Sequence, residues 1–470
     1  MVVVTVVSFS PVYVVVYPMS SWVLDVERAL AEHSDASSES SSRWQRHCIY
    51  RVPACIKNHN PKAYKPQVVS LGPFHHGDAE LVPMEDHKRR ALRHLLRRSG
   101  RPLEAFAAAV EEVAEQLEDA YQDLDAEWRA GDEGGRERFM EMLVIDGCFL
   151  LELMMVAGAG EDEGRSSGGG GGGYAPNDPV FSRHGMLYMV PFIRRDMLML
   201  ENQLPLLVLK RLMAVLTGMP PIKRMVLRFV SPSSRPTPDG DELGLHPLAI
   251  YHGSLGHGPY RVSRRHDVPD TGGAEIIRPA TELHEAGIKF KKSWTDSLHD
   301  VRFFRRGGVL SVPAMSVDDS TEYALLNAMA FERLHAGVAA GAGNDVAAYV
   351  FFMGKLLDSA RDVALLGSMG IVQNAAGSDE AVAKLFERMS KDMVLDPSET
   401  ELDAVHRQVN AYCRRRRPWR MCGGGGGARQ SRSDAWLRTP WVLFAIIVLL
   451  VMVIVQTIYI VLQFYELRHR

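Results

Sequence analysis

ERFMEMLVIDGCFLLELMM, residues 137–155, is the stretch on which the fold turns. It is apolar on most faces, where a surface helix needs only one apolar stripe, so it predicts a helix at the centre of a core. Asp146, the acid at its centre, then lies in an apolar setting and needs a partner. A second such stretch, 195–216, opens RDMLMLENQLP and sets Arg195, Glu201 and Asn202 among apolar residues. Pro205 is expected to kink or restart that helix.

Helical periodicity continues outward from these two. It predicts a short amphipathic helix at Val23, Val26 and Leu30, and a basic helix over 85–98 with Leu92, Leu95 and Leu96 inward. It also predicts a long acidic helix over 103–129 and further helices over 321–336, 344–358, 379–392 and 399–416. Ser398 and Glu401 form a capping box for the last, whose arginines sit at the negative end of its dipole. Strand-like runs are few: 66–71, 287–291, 300–304 and 308–312. The expected fold is mainly α, of the α+β kind with a small β-sheet: a multi-helical globular body plus one C-terminal transmembrane helix.

That last helix is read from 441–465, WVLFAIIVLLVMVIVQTIYIVLQFY. No charge occurs from Thr439 to Tyr465, and a helix of this length covers roughly 30–38 Å, enough for a bilayer core. Trp436 and Trp441 at one end and Tyr465 at the other are belt positions for aromatic rings. Residues 407–440 carry nine arginines against Asp434, a net +8, so the rest of a chain of net charge −3 stands at −11. The basic residues, Arg414, Arg415, Arg416, Arg417 and Arg420 among them, precede the span and could meet anionic lipid. The positive-inside bias predicts a single-pass, tail-anchored protein of the plasma membrane or an endomembrane, with a cytoplasmic body. The acidic body argues against nucleic acid as a partner.

Residues 1–18 carry no charge but hold nine valines, Pro11 and Pro18, with no basic n-region. They read as an unstructured extension; as a signal peptide they would invert the topology. The organisation follows: extension 1–21, helical domain 22–412 with a Gly-rich loop at 157–178, basic juxtamembrane linker 413–440, span 441–465 and tail 466–470. Residues 231–241 and 252–273 are loop-like in composition. The five cysteines are odd in number and contain no C-x-x-C, which fits a reducing compartment better than a disulfide scaffold. None of the eight asparagines begins a glycosylation sequon. Cys413 and Cys422 flank the juxtamembrane arginines, where palmitoylation would be placed.

Motifs that carry chemistry are scarce. The tract 168–173 matches G-x-G-x-x-G formally, but it follows no strand and is low-complexity. No P-loop, H-E-x-x-H, G-x-S-x-G or kinase set occurs. His75, His76 and Gly77 form the best local cluster. With His87, Cys48 and Cys55 they could be zinc ligands, but the spacing is that of no common finger, so they are read as a hydrogen-bonded turn. Asp146 and Arg195 are expected to pair, and Glu201 and Asn202 to form a network; the alternative is acid–base catalysis by Asp146 or Glu201. The basic helix from His87 to Arg98 reads as a solvated face or a phosphate-binding one. The residues suggest no catalytic set, no cofactor, no metal and no identifiable small-molecule substrate.

Several ordered motifs resemble a known family. They are CIYRVPACI (48–56), YKPQVVSLGPFHHG (64–77), MEDHKRR (84–90), VIDGCFLLE (144–152), RDMLMLENQLP (195–205), TELHEAGIKF (281–290), LSVPAMSVD (310–318) and TEYALLNAMAFE (321–332). Together with the C-terminal stretch they resemble the plant domain-of-unknown-function 247 family, DUF247-type and UPF0481-like, over about 22–465. Residues 1–21 and the polyglycine runs depart from it. The resemblance implies a land-plant protein, anchored at its C-terminus, in a family with no established enzymatic activity. Some grass members are associated with self-incompatibility loci as candidate pollen-side recognition proteins. The expected role is thus a non-enzymatic, membrane-anchored interaction or signalling protein that offers its acidic 103–133 region and its 231–273 loops to an unknown protein partner. Two rivals stay open: an enzyme using Asp146, Glu201 or the His75–His76 turn, and an extracytoplasmic recognition domain.

Overall fold

The computed structural model describes residues 47–58, 60–129, 134–162, 173–218, 222–231, 245–256, 277–335, 344–391, 401–415 and 451–458. In chain order the helices are α1 (Ala54–Lys57), α2 (Val82–Ser99), α3 (Leu103–Glu111), α4 (Ala114–Asp119), α5 (Gly135–Asp162), α6 (Arg183–Tyr188), α7 (Val190–Asp196) and α8 (Leu206–Thr217). They continue with α9 (Ile222–Val230), α10 (Pro247–Leu255), α11 (Ala280–Glu285), α12 (Thr321–Leu334), α13 (Asp345–Leu356), α14 (Ala360–Ser368), α15 (Asp379–Ser390) and α16 (Glu401–Arg415). The strands are β1 (Lys289–Lys292), β2 (Arg302–Phe304), β3 (Val309–Val312), β4 (Met315–Val317) and β5 (Val372–Asn374).

α5 is the axis of a first core. Phe139, Leu143, Phe149, Leu150, Leu151 and Leu153 point to different sides of it and are all fully buried. α2, α3 and α8 pack around it. α8 comes close because Gly147 has no side chain: a Cβ there would collide with Leu212 and meet Val208. A second core joins the sheets to the later helices through Phe290, Leu310, Tyr349, Phe352 and Phe386. In the larger sheet β3 is central, parallel to β1 and antiparallel to β2, with Leu310 opposite both Phe290 and Phe303. β4 and β5 form a separate parallel pair. α12 lies between the cores: Ala330 and Phe331 belong to the first, Leu325 and Met329 to the second.

Several expectations are corrected. The acidic helix over 103–129 is broken into α3 and α4, and α4 ends where the segment at Cys48–Ile49 captures the chain: Cys48 and Ile49 N–H both donate to Ala120 O at 3.0 Å, and Gln122 N–H donates to Ile49 O at 2.9 Å. Over 195–216 the expected restart at Pro205 is found, with α8 starting just after it, but α7 ends at Asp196 and the chain between is not helical. Residues 66–71 form no strand: the chain bends at Gln67 and Val68, and side chains take up its amides. α5 runs six residues into the expected Gly-rich loop, ending at Asp162. Residues 163–172 lie outside the described residues, as do Val23, Val26, Leu30, Ser398 and the loops 232–244 and 257–276.

The membrane-spanning helix over 441–465 is also corrected. Among the described residues no helix is long and apolar enough to cross a membrane. Within that stretch the described part is the helical run 451–458. The fold is therefore mainly helical with small sheets. Trp436, Trp441, Tyr465, Arg416, Arg417 and Arg420 lie outside the described residues. Arg414 is exposed in the last turn of α16, and Arg415 ends that helix.

Candidate functional site

Between α7 and α8 the chain runs from Met197 to Pro205 without a helix, yet most of it is buried. Its backbone groups and those it meets need other partners. Gln203 supplies some. Its Nε2 donates to Met197 O and Met199 O, each at 2.6 Å, and its Oε1 accepts from Leu248 N–H at 3.0 Å.

Three further side chains hold the segment 67–72. Asp196 Oδ2 accepts from Gln67, Val68 and Val69 N–H at 3.0, 2.7 and 3.1 Å. Asn202 Oδ1 accepts from Leu71 N–H at 2.7 Å, while its Nδ2 donates to Val69 O and Asp196 O at 3.0 Å. Asp146 Oδ2 accepts from Gly72 N–H at 2.9 Å. Gly72 must be glycine: its φ is +75°, and a Cβ would sit 2.8 Å from both Gln203 O and Tyr121 Oη. Buried side chains therefore do what a neighbouring strand would do for residues 67–72.

The expected Asp146–Arg195 pair does not form. Asp146 pairs with Lys88 at 2.6 Å, and Lys88 also reaches Glu85 at 2.6 Å. Burial raises the Asp146 carboxyl above its ordinary range, against the pull of the Lys88 ammonium. Arg195 pairs with its neighbour Asp196 at 3.1 Å, and its guanidinium lies 5.0 Å from the Tyr323 ring centre. Burial likewise raises Asp196, opposed by the amides of Val68 and Val69.

Nor do Glu201 and Asn202 share a network, since consecutive residues of this turn address different segments. Glu201 Oε1 accepts from Val52 N–H at 2.6 Å, and Oε2 pairs with Lys57 at 2.6 Å. Burial would raise Glu201, but the partners His75 and Lys57 outweigh it and hold the carboxyl below its usual value.

His75 ends a short turn, Pro73–His75, with Nδ1 3.1 Å from Asp78 Oδ2 and Nε2 3.7 Å from Glu201. His76 meets the Trp128 ring edge-on at 5.4 Å, and Gly77 takes φ +84°. Cys48 does not join them: it is buried, and burial pushes its thiol up to about 12. Among the described residues no group of three or more His, Cys, Asp or Glu is placed to hold a metal ion.

A family model described as a plant protein of unknown function, DUF247, matches residues 49–455. The chain belongs to the DUF247 family. It is 26% identical over 405 residues to the UPF0481 protein At3g47200 of Arabidopsis thaliana, covering 78% of this chain and 77% of that protein. A putative UPF0481 protein of the same plant, At3g02645, is 29% identical over 137 residues, covering 29% of this chain and 25% of that one. No solved structure matches.

Reading the sequence missed Lys88, Asp196 and Gln203 in this DUF247 chain. Lys88 carried a signal: Met84, Lys88, Ala91 and Leu95 recur at helical spacing and make up the buried face of α2. Chemically, a general base must reach a substrate proton. In this DUF247 body Asp146 has no exposed surface and Glu201 is 5% exposed, and both are already held by a backbone amide and an ammonium.

Proposed function

We propose that this DUF247 chain is a non-enzymatic recognition or signalling protein whose helical body binds a protein partner. The observation that carries the reading is the use of Asp146, Asp196, Glu201 and Asn202 to position backbone. Each accepts at least one main-chain N–H from a segment distant in sequence. Carboxylates in such positions fix a shape, and a fixed shape is what a recognition surface needs. The acidic face of α3 and α4, with Glu104, Glu111, Glu112 and Glu115 exposed, offers a charged surface that would favour a basic partner and speed its encounter.

The test is native purification of the full chain from plant tissue followed by cross-linking mass spectrometry. A complex of fixed stoichiometry with cross-links on the helical body supports the reading. A chain that runs alone, and turns over a substrate in a manner abolished by Glu201→Gln in a folded protein, overturns it in favour of an enzyme.

A further inference from the structure

α2, α3 and α5 leave a trench between them that none of the described residues covers, enclosing about 550 Å³. Two of its walls repeat one pattern with opposite charge. α2 contributes Arg89, Leu92 and Arg93; α5 contributes Glu137, Met140 and Glu141. In each triplet the charged residues are one turn apart with an apolar residue between them, on one face of the helix. All four charged side chains are exposed. Among the described residues none of the four makes an ion pair. Met140 is 7% exposed and forms floor, whereas Leu103 on the α3 wall is 44% exposed, high for a leucine facing a concave surface.

The arrangement suits a helix better than a small molecule. A small-ligand pocket has a few polar groups converging on one point inside it. Here the unpaired charges run along α2 and α5, the α3 wall adds Glu111, already paired with Arg136 at 3.1 Å, and the floor is apolar. An amphipathic helix laid in a groove presents an apolar stripe at i, i+3, i+4 and i+7 with charges flanking it. From Glu137 to Met140 to Val144 the α5 wall is about 10 Å long, two turns of a docked helix.

Resting on the recognition reading above, we propose that this trench receives an amphipathic helix of a partner protein, its acidic edge along Arg89 and Arg93 and its basic edge along Glu137 and Glu141. The helix supplies the fourth apolar stripe that the three walls lack, and both charge rows find opposite charge.

The probe is a synthetic, fluorescein-labelled helical peptide of about five turns, with leucines in one stripe, glutamates on one flank and lysines on the other. Its anisotropy is followed as the full-length chain is titrated in. Saturable binding is expected. The charge reversal Arg89→Glu with Arg93→Glu should weaken it by roughly tenfold or more, and a peptide with lysine on both flanks should prefer that variant to the parent. Leu103→Arg should abolish binding while leaving the far-ultraviolet spectrum unchanged, since Leu103 is exposed; should that variant fail to fold, Ala107→Lys on the same wall takes its place.

Absence of saturable binding, or binding indifferent to Leu103→Arg, overturns the proposal. Displacement of the peptide by decanoate would assign the trench to a small apolar ligand instead. A dimer in sedimentation that Leu103→Arg dissociates would assign it to a second copy of the chain. If the peptide fails while the Leu103→Arg chain still enters its native complex, the trench assignment falls and the recognition reading stands. If the parent chain enters no complex, the recognition reading itself falls.

Discussion

Lys88 Nζ lies 2.6 Å from Asp146 Oδ1, and neither side chain has any exposed surface. The ammonium of α2 thereby joins the carboxylate at the centre of α5. Glu85, also 2.6 Å from Lys88, and Ser70, whose Oγ accepts from Lys88 at 3.1 Å, complete its surroundings. Because burial penalises each ion, the pair is stable only as a pair. Lys88→Met is expected to cost about 3–5 kcal/mol, the range for leaving one buried charge uncompensated. Asp146→Asn should cost less: Lys88 keeps Glu85, and the amide oxygen can still accept from Gly72.

The same pair carries a pH signature. With Lys88 gone, only burial and the nearby Glu85 push on Asp146 from outside its own hydrogen bond, and both raise it. A carboxyl raised in the folded state binds its proton more tightly there than in the unfolded chain. Its contribution is whole below the unfolded value and is lost as pH rises through the folded one. The stability deficit of Lys88→Met should therefore shrink as pH is lowered from 7 toward 5. Urea unfolding at several pH values measures this; a deficit that is constant across the range contradicts the assignment.

Asn202 tests the clamp on residues 67–72 by an isosteric change. Asn202→Asp keeps the oxygen that receives Leu71 N–H but loses the two donations to Val69 O and Asp196 O. It also sets a second carboxylate beside Asp196. Asp196 O keeps Met199 N–H at 3.3 Å, so the carbonyl left without a partner is that of Val69, and a loss of about 1–3 kcal/mol is expected from it. Hydrogen exchange should report it locally, with faster exchange at the Val69 and Leu71 amides than at amides of α13. Uniform exchange across both regions would mean that the clamp does not act as a unit.

These side chains also mark where reading the sequence stops working. The core helix over 137–155 was legible because an all-round apolar pattern has few other uses. The strand expected over 66–71 does not form: the chain bends at Gln67 and Val68 and turns three successive amides onto Asp196. β-rich composition makes a chain extended, but the groups that take up its amides, Asp196 and Asn202, lie well over a hundred residues away. Lys88 sat on a legible stripe and was overlooked because Arg89, Arg90 and Arg93 around it made the whole helix look solvated. α10 went unread because its N-cap is His246, and histidine is not among the residues that usually announce a helix start.

His246 is expected to give the folded state its sensitivity to mild acid. Its Nε2–H donates to Cys48 O at 3.0 Å, and its Nδ1 accepts from Ala249 N–H at 3.2 Å. A second proton on Nδ1 would break the cap. Burial, with His335 and His252 nearby, lowers its pKa from 6.5 to about 3. The folded state thus binds fewer protons than the unfolded one between these values. The contribution of His246 is whole above 6.5 and is lost as pH falls toward 3, at up to about 1.4 kcal/mol per pH unit. His246→Asn can still cap α10 and does not titrate, so its unfolding midpoint should fall less steeply below pH 6.5. His406, lowered to about 4, keeps its share in both proteins. Parallel pH profiles for parent and variant would rule out His246 as the source.

Glu332 links the two cores through one carboxylate. It is carried by α12 and fully buried. Oε1 accepts from Val346 N–H at 2.8 Å and Oε2 from Ala347 N–H at 3.0 Å, both in the first turn of α13. His252 of α10 lies 2.9 Å from Oε1, and its ring packs edge-on against Phe331 of the first core. A negative charge at a helix N-terminus is favoured by the dipole and satisfies amides that have no partner within the helix. Glu332→Gln keeps one acceptor oxygen and loses the charge, for an expected cost of about 1–2 kcal/mol. Glu332→Ala leaves both amides of α13 and His252 without their partner and should cost roughly 3 kcal/mol or more. Because the loss falls on the join between the cores, calorimetry of Glu332→Ala should resolve two transitions, the earlier one accompanied by rapid exchange at Val346 and Ala347. One cooperative transition at the parent's temperature would show that the cores are held together elsewhere, through the apolar contacts of α12 with both.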